Sequence, residues 1–293
     1  MSAEVEHVLS VNSELGEGPI WSAEEQALYW VDIRGKKFNR LFVKTGQHES
    51  FEVGQMLGVL ALRAKGGLVL GVQSGFAFWD WQTKKLEMIN DPENGRTDMR
   101  FNDGKVDPQG RFWAGSMNLK PEVGKAEGSL YRLDPDGSVH KMETGLAISN
   151  GLGWSPDRKT MYLTDSLRHV IYAYDYDAAT GNIENRRDFI KSEDEWGVPD
   201  GLTVDSEGGI WSARWGGWKV DHYGPDGKKI EEIKVPVECP TSCTFGGENL
   251  DELYITSCWE NFSSEQRQKQ PQAGDIFRYR AGVKGQENTA FAG

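Results

Sequence analysis

Apolar and polar residues alternate along this chain in short runs that end at turn residues, and one such run returns again and again. A turn leading into a strand occupies residues 22–32 (SAEEQALYWVD), 107–116 (DPQGRFWAGS), 155–165 (SPDRKTMYLTD), 205–214 (DSEGGIWSAR) and 247–257 (GENLDELYITS). A degenerate copy, residues 64–72 (AKGGLVLGV), fills the gap after the first. The apolar residues that open these strands are Leu28, Leu68, Phe112, Met161, Ile210 and Leu253, with steps of 40, 44, 49, 49 and 43 residues. That is the period of a propeller blade. Each copy continues into another alternating strand closed by a turn, clearest in residues 128–137 (GSLYRLDPDG), 170–181 (VIYAYDYDAATG) and 218–227 (WKVDHYGPDG). Period-two alternation ended by Asp-Gly or Thr-Gly marks antiparallel hairpins. The pattern predicts an all-β, six-bladed β-propeller with four-stranded antiparallel blades. The extended residues 5–11 (VEHVLSV) are expected to pair with the last blade and close the ring, which removes a free sheet edge.

Counting back ten or eleven residues from each anchor reaches the start of the preceding, innermost strand. The residues met there are Glu17, Leu57, Asn102, Asn150, Asp200 and Ser242. Inner strands of a propeller surround a central channel, so equivalent positions form a ring. Five of these six are polar, where an unpartnered buried carboxylate would be costly. Two carboxylates and two carboxamides facing one tunnel suit a hard divalent cation. Asn102, Asn150, Asp200 and Glu17 each have a glycine next to them or one residue removed, read as giving the backbone a tight turn at the strand entrance.

The totals narrow the field. The repeat runs through all 293 residues with no linker or composition shift, so residues 1–293 read as one propeller domain. The 35 glycines and 11 tryptophans suit many short strands with aromatics between sheets. A formal charge of -12 without a basic stripe makes nucleic acid and anionic membrane poor partners. No signal-like segment and no spanning apolar run are visible, and three cysteines are few, so a cytoplasmic setting is expected, with a monomer as the default. The five histidines are scattered, and there is no Gly-x-Ser-x-Gly elbow, phosphate loop or dinucleotide fingerprint. Cys239 and Cys243 lack a second pair and read as buried apolar cysteines. Two polar inserts, residues 118–127 and 260–272, interrupt the third and sixth blades and could overhang the channel mouth. Trp215 and Trp218 flank a glycine pair and serve either packing or an aromatic wall for a sugar ring.

Several of these segments together resemble the regucalcin, gluconolactonase and luciferin-regenerating-enzyme family. They are residues 15–19 (LGEGP), 100–105 (RFNDGK), 148–152 (ISNGL), 162–166 (YLTDS), 199–201 (PDG), 241–247 (TSCTFGG) and 270–277 (QPQAGDIF). The resemblance implies a six-bladed propeller with one divalent ion in its channel and hydrolysis of sugar lactones. By the same resemblance Glu17, Asn150 and Asp200 would hold the ion, and Arg100 and Asn102 would contact the substrate. The ion's identity stays open among calcium, zinc, manganese, magnesium and ferrous iron. One departure stands out. The family often places a glutamate shortly after a Gly-Thr-Met phrase; here the phrase is GSM at residues 115–117, followed by Lys120 with Glu122 close by. The expected reaction opens a lactone by a metal-polarised carbonyl or metal-activated water, with Asp200 as candidate general base. Arg100, Asn102, Lys120, Glu122 and Trp215 are then expected around the substrate, with Asp103 binding it or orienting Arg100 or Asn102. Two other classes remain: a divalent-ion-binding regulatory protein, and a metal-dependent esterase or organophosphate hydrolase on the same fold.

Overall fold

The computed structural model describes residues 4–122, 124–193 and 197–293. Among them, six four-stranded antiparallel sheets follow one another in chain order around a channel, as the repeat predicts. The sixth sheet takes its outermost strand, Glu6–Leu9, from the start of the chain, paired with Ile276–Arg280. Closure by the N-terminal strand is therefore as expected from residues 5–11.

The recurring turn phrase has a hydrogen-bonding cause. In the third blade Asp107 accepts from the backbone of Gln109 (2.9 Å) and Arg111 (3.0 Å) and from Trp113 Nε1 (3.1 Å). The fifth blade repeats this with Asp205, which accepts from Glu207 (2.9 Å), Gly209 (2.8 Å) and Trp211 Nε1 (2.9 Å). One carboxylate thus folds the turn and pins the tryptophan that stands second in the next strand. The aromatics fill the gaps between blades. Trp113 of the third blade meets Trp154 of the fourth edge-on at 6.0 Å, and Trp21 of the first stacks on Tyr254 of the sixth at 5.6 Å. All three cysteines are free and buried, in line with the reading of Cys239 and Cys243 as apolar residues.

Inner strands Gly16–Ser22, Leu57–Leu62, Met99–Val106, Ser149–Trp154, Val198–Val204 and Pro240–Gly246 all begin at the same end of the channel. Each carries a bulge near its start: past Glu17, Leu57, Phe101, Asn150, Pro199 and Pro240 the register with the second strand shifts. Bulges re-aim side chains beside functional sites. Here they turn one residue per blade toward the axis.

The opposite end is crossed by a segment with no strand pattern. Gln286 Nε2 donates to the carbonyls of Trp154 (3.0 Å) and Val204 (3.3 Å), and Asn288 Nδ2 to that of Trp21 (3.2 Å). Backbone bonds then join Gly285 to Leu250, Phe291 to Leu62 and Ala292 to Gly110. This tail touches all six blades and occupies the far end of the channel, so access to the bulged end is from one side.

Candidate functional site

The paired register corrects two of the six ring positions. Leu57 pairs with Val72 and Pro240 with Ser257, just as Gly16 pairs with Asp32. The residue after each is the one at ring level, so Gly58 and Thr241 stand there in place of Leu57 and Ser242. Thr241 Oγ1 is occupied by Gly16 O (2.5 Å) and Thr256 Oγ1 (2.8 Å). Leu57 is wholly buried in the core. Glu17, Asn102, Asn150 and Asp200 all line one cavity of about 270 Å³ at the mouth end.

The glycines beside these residues act differently from the sequence expectation. Only Gly18 has a positive φ (51°); Gly151 and Gly201 give close approach to the next inner strand, and Gly16 and Gly104 to a second strand. A Cβ on Gly58 would stand 2.1 Å from Asn102 O, and one on Gly201 would stand 2.0 Å from Ser242 Oγ. Missing side chains let successive ring residues crowd the axis.

A second repeated aspartate sets the approach to the ring. Asp32 accepts from the backbone of Leu15 (3.2 Å) and Gly35 (3.0 Å), fixing the chain just before Glu17. Asp165 does the same for Ala147 and Ile148 (both 3.1 Å) just before Asn150, and is paired with Arg168 at 2.9 Å.

Within the cavity, Glu17 Oε2 accepts from Gly18 N (2.8 Å), and Asn150 Nδ2 donates to Asp200 Oδ1 and to Ser166 Oγ (3.1 Å). Asp200 is 3 % exposed, yet its Oδ2 meets no hydrogen-bond partner among the described residues. Arg100 is also buried and donates from Nη1 to Asn102 Oδ1 (2.6 Å) and Phe101 O (3.0 Å), while Asn102 Nδ2 reaches Ser149 O (2.9 Å). Asp103 does not line the cavity and makes no bond to Arg100 or Asn102. It lies below, accepting from Gly104 N (2.7 Å) and facing the half-buried Lys105.

Burial drives the electrostatics. Glu17 is pushed well above the ordinary carboxylate range by desolvation, then by Asp200 and Asp103. Asp200 is raised well above its range by desolvation and then by Asp103, against smaller relief from Asn150 and Arg100. Asp103 is pushed up to about 6 by burial. Desolvation also holds the Arg100 guanidinium down to about 10. Three buried carboxylates thus share one buried cation, Arg100, and the half-buried Lys105. Among the described residues no three His, Cys, Asp or Glu side chains converge as a metal cage. The set at hand has a carboxamide as its third member: Glu17, Asn150 and Asp200. Its oxygen donors, its excess negative charge and the unpartnered Asp200 Oδ2 fit a hard divalent cation.

Above this polar floor the lining is apolar: Leu15, Met117, Ile148, Leu167, Val198 and Trp215. Trp215 lines this wall and also packs against the hydrophobic core. Lys120 and Glu122 are exposed, and Glu122 pairs with Lys125 at 3.0 Å; neither lines the cavity. Nor do the two inserts supply a described lining residue. The second holds a short helix, Ser264–Lys269, and Glu260, which pairs with Arg34. Apart from Trp215, the apolar wall and the tail are what sequence reasoning missed; bulges and close packing, not periodicity, select the wall residues.

Residues 15–259 match a family described as the SMP-30/gluconolactonase/LRE-like region. Regucalcin of Xenopus laevis is 40% identical over 297 residues, covering 100% of this chain and 99% of the relative. A luciferin-regenerating enzyme structure superposes with a TM-score of 0.92 at 32% identity, over 99% of this chain and 100% of the other. A calcium-binding regucalcin from Agrobacterium tumefaciens gives a TM-score of 0.94 at 28% identity, over 99% and 98%.

Proposed function

Because this chain belongs to the SMP-30/gluconolactonase/LRE-like family, we propose that its channel hydrolyses a sugar lactone to the corresponding hydroxy acid. The observation that carries this reading is the Asp200 carboxylate, buried with Oδ2 unpartnered, sharing with a buried guanidinium the polar floor of a cavity whose walls are apolar. Glu17, Asn150 and Asp200 would hold a divalent cation, which when bound supplies charge to polarise a carbonyl or acidify water. The Asn150 amide turned by a half-rotation offers Oδ1 where Nδ2 now stands, giving three oxygen donors.

The chain's own residues account for the rest. Asp200 Oδ2 accepts a proton as water adds to the lactone carbonyl carbon. The acyl bond to the ring oxygen breaks, and the proton passes to that oxygen, which leaves as a hydroxyl. The new carboxylic acid ionises. Arg100, its Nη1 fixed by Phe101 O and Asn102 Oδ1, holds positive charge near the carbonyl oxygen as negative charge develops. A water-poor cavity strengthens that interaction.

A second reading, ion binding without turnover, draws support from the regucalcin structure described as calcium-binding. An ion buffer has no use for Arg100 in the channel, whereas a carbonyl or carboxylate site does. A pH-indicator assay separates the two: chelated protein is offered a panel of aldonolactones, with each divalent ion added back in turn. Turnover restored by an ion supports the lactonase; tight ion binding with no turnover of any lactone favours the buffer.

A further inference from the structure

We propose that this cavity selects lactones carrying an alkyl substituent and few ring hydroxyls, of the deoxy-sugar or alkyl-lactone type, over polyhydroxylated aldonolactones. The inference rests on the lactonase reading and adds its substrate class.

Two observations lead there. The first is the wall. Leu15, Met117, Ile148, Leu167, Val198 and Trp215 reach the same cavity from four different blades. Ile148, Leu167, Val198 and Trp215 are only partly buried, unlike the closed core around them. Apolar surface kept open around a concave polar floor is a binding feature rather than leftover core.

The second is the scarcity of free polar groups. Glu17, Asn150 and Asp200 are committed to the ion. Asn102 spends Oδ1 on Arg100 and Nδ2 on Ser149 O. Ser166 Oγ faces the Asn150 amide at 3.1 Å, accepting from Nδ2 here and placed to donate to Oδ1 once the amide turns toward an ion. Lys120 and Glu122, placed where hydroxyl-binding residues were expected, are exposed and outside the lining. At the rim Glu260 is engaged by Arg34. A ring hydroxyl pressed against this wall would lose water and gain no partner, which is costly. An alkyl group in the same place would bury apolar surface, which is favourable.

The test compares kcat/KM of the ion-loaded protein for glucono-δ-lactone, δ-valerolactone and δ-nonalactone. The expected order is δ-nonalactone first, by at least about tenfold over δ-valerolactone, with glucono-δ-lactone below both. Leu167→Asn and Val198→Thr should move the nonalactone-to-gluconolactone ratio about tenfold toward the hydroxylated substrate. Because the ratio compares two substrates on one protein, partial loss of folded enzyme does not alter it. Gluconolactone cleaved as well as or better than nonalactone overturns the proposal, as does a ratio indifferent to both wall variants. Failure to cleave any of the three removes the lactonase reading itself, and the selectivity with it.

Discussion

Asn150 Nδ2 donates to Asp200 Oδ1, while the other oxygen of the same buried carboxylate, Oδ2, meets no partner among the described residues. The two side chains come from the inner strands of neighbouring blades, Ser149–Trp154 and Val198–Val204. One oxygen is thereby oriented and the other left for chemistry. An unpaired buried carboxylate oxygen costs free energy of about 1–3 kcal/mol or more, so this arrangement is built for a ligand rather than for stability.

Replacing Asp200 removes both proposed roles at once. Asp200→Asn keeps the shape and the contact to Asn150 but cannot accept a proton. Lactone turnover should fall by about 100-fold or more under saturating ion. Steady-state kinetics with the ion varied would show it; a variant with near-normal kcat takes Asp200 out of the base role.

Arg100 is expected to matter for turnover and not for the ion. Arg100→Met should lower kcat/KM by roughly 100-fold, as losing one donor to a developing oxyanion does. Divalent-ion binding measured by calorimetry should stay within a few-fold of the parent. Loss of ion affinity equal to the loss of turnover would place Arg100 in the ion site instead.

The raised carboxylates give the pH dependence a definite sign. In the ion-free folded chain Glu17 and Asp200 are held above their ordinary range, and Asp103 at about 6. Between about pH 4, where free carboxylates titrate, and these higher values, the folded chain binds more protons than the unfolded one. From these groups, stability is greatest at the acidic side and declines as pH rises through that window. A cation needs the same groups ionised, so its stabilising effect grows with pH. Melting curves at pH 5, 6, 7 and 8, with and without a divalent ion, should show a widening gap in Tm. At 100 times Kd the gain approaches about 2.7 kcal/mol. A gap independent of pH would argue that the ion binds elsewhere.

The close approach of inner strands predicts a steep cost at Gly58. Its Cβ would lie 2.1 Å from Asn102 O, whereas one on Gly124 would meet nothing within 4 Å. Gly58→Ala should destabilise by about 1–3 kcal/mol through backbone displacement, and Gly124→Ala by less than about 0.5 kcal/mol. Chemical denaturation reads both. Weakened ion binding in Gly58→Ala would further show that crowding at this position shapes the ring.

Much of this could be read from the chain because the repeat is written in turn chemistry. The aspartates at 107 and 205 each fold a turn and hold a tryptophan six residues on, so the phrase is visible and its spacing gives the blades. Glu17, Asn102, Asn150 and Asp200 followed from that spacing and do share a cavity. The count slipped by one at Leu57 and Ser242, where Gly58 and Thr241 hold the level. The length between anchor and inner strand varies with each turn, and only backbone pairing fixes it. The sequence presents the glycines as turn formers, whereas four of the five beside ring positions make room for a neighbouring strand, a tertiary fact. The family resemblance puts Lys120 and Glu122 near the substrate, yet both are exposed and lie outside the cavity that Met117 lines. The tail from 285 to 293 is illegible because it binds through main-chain groups, two amide side chains and the one buried aromatic Phe291, which leave no apolar period.

The most direct measurement is lactone turnover as a function of divalent ion bound per chain, starting from fully chelated protein. The account predicts no turnover without the ion, a linear rise, and saturation at about one ion per chain, as one set of three ligands requires. Full turnover in the chelated protein, or saturation unrelated to occupancy of a site lost in Glu17→Gln, would contradict it.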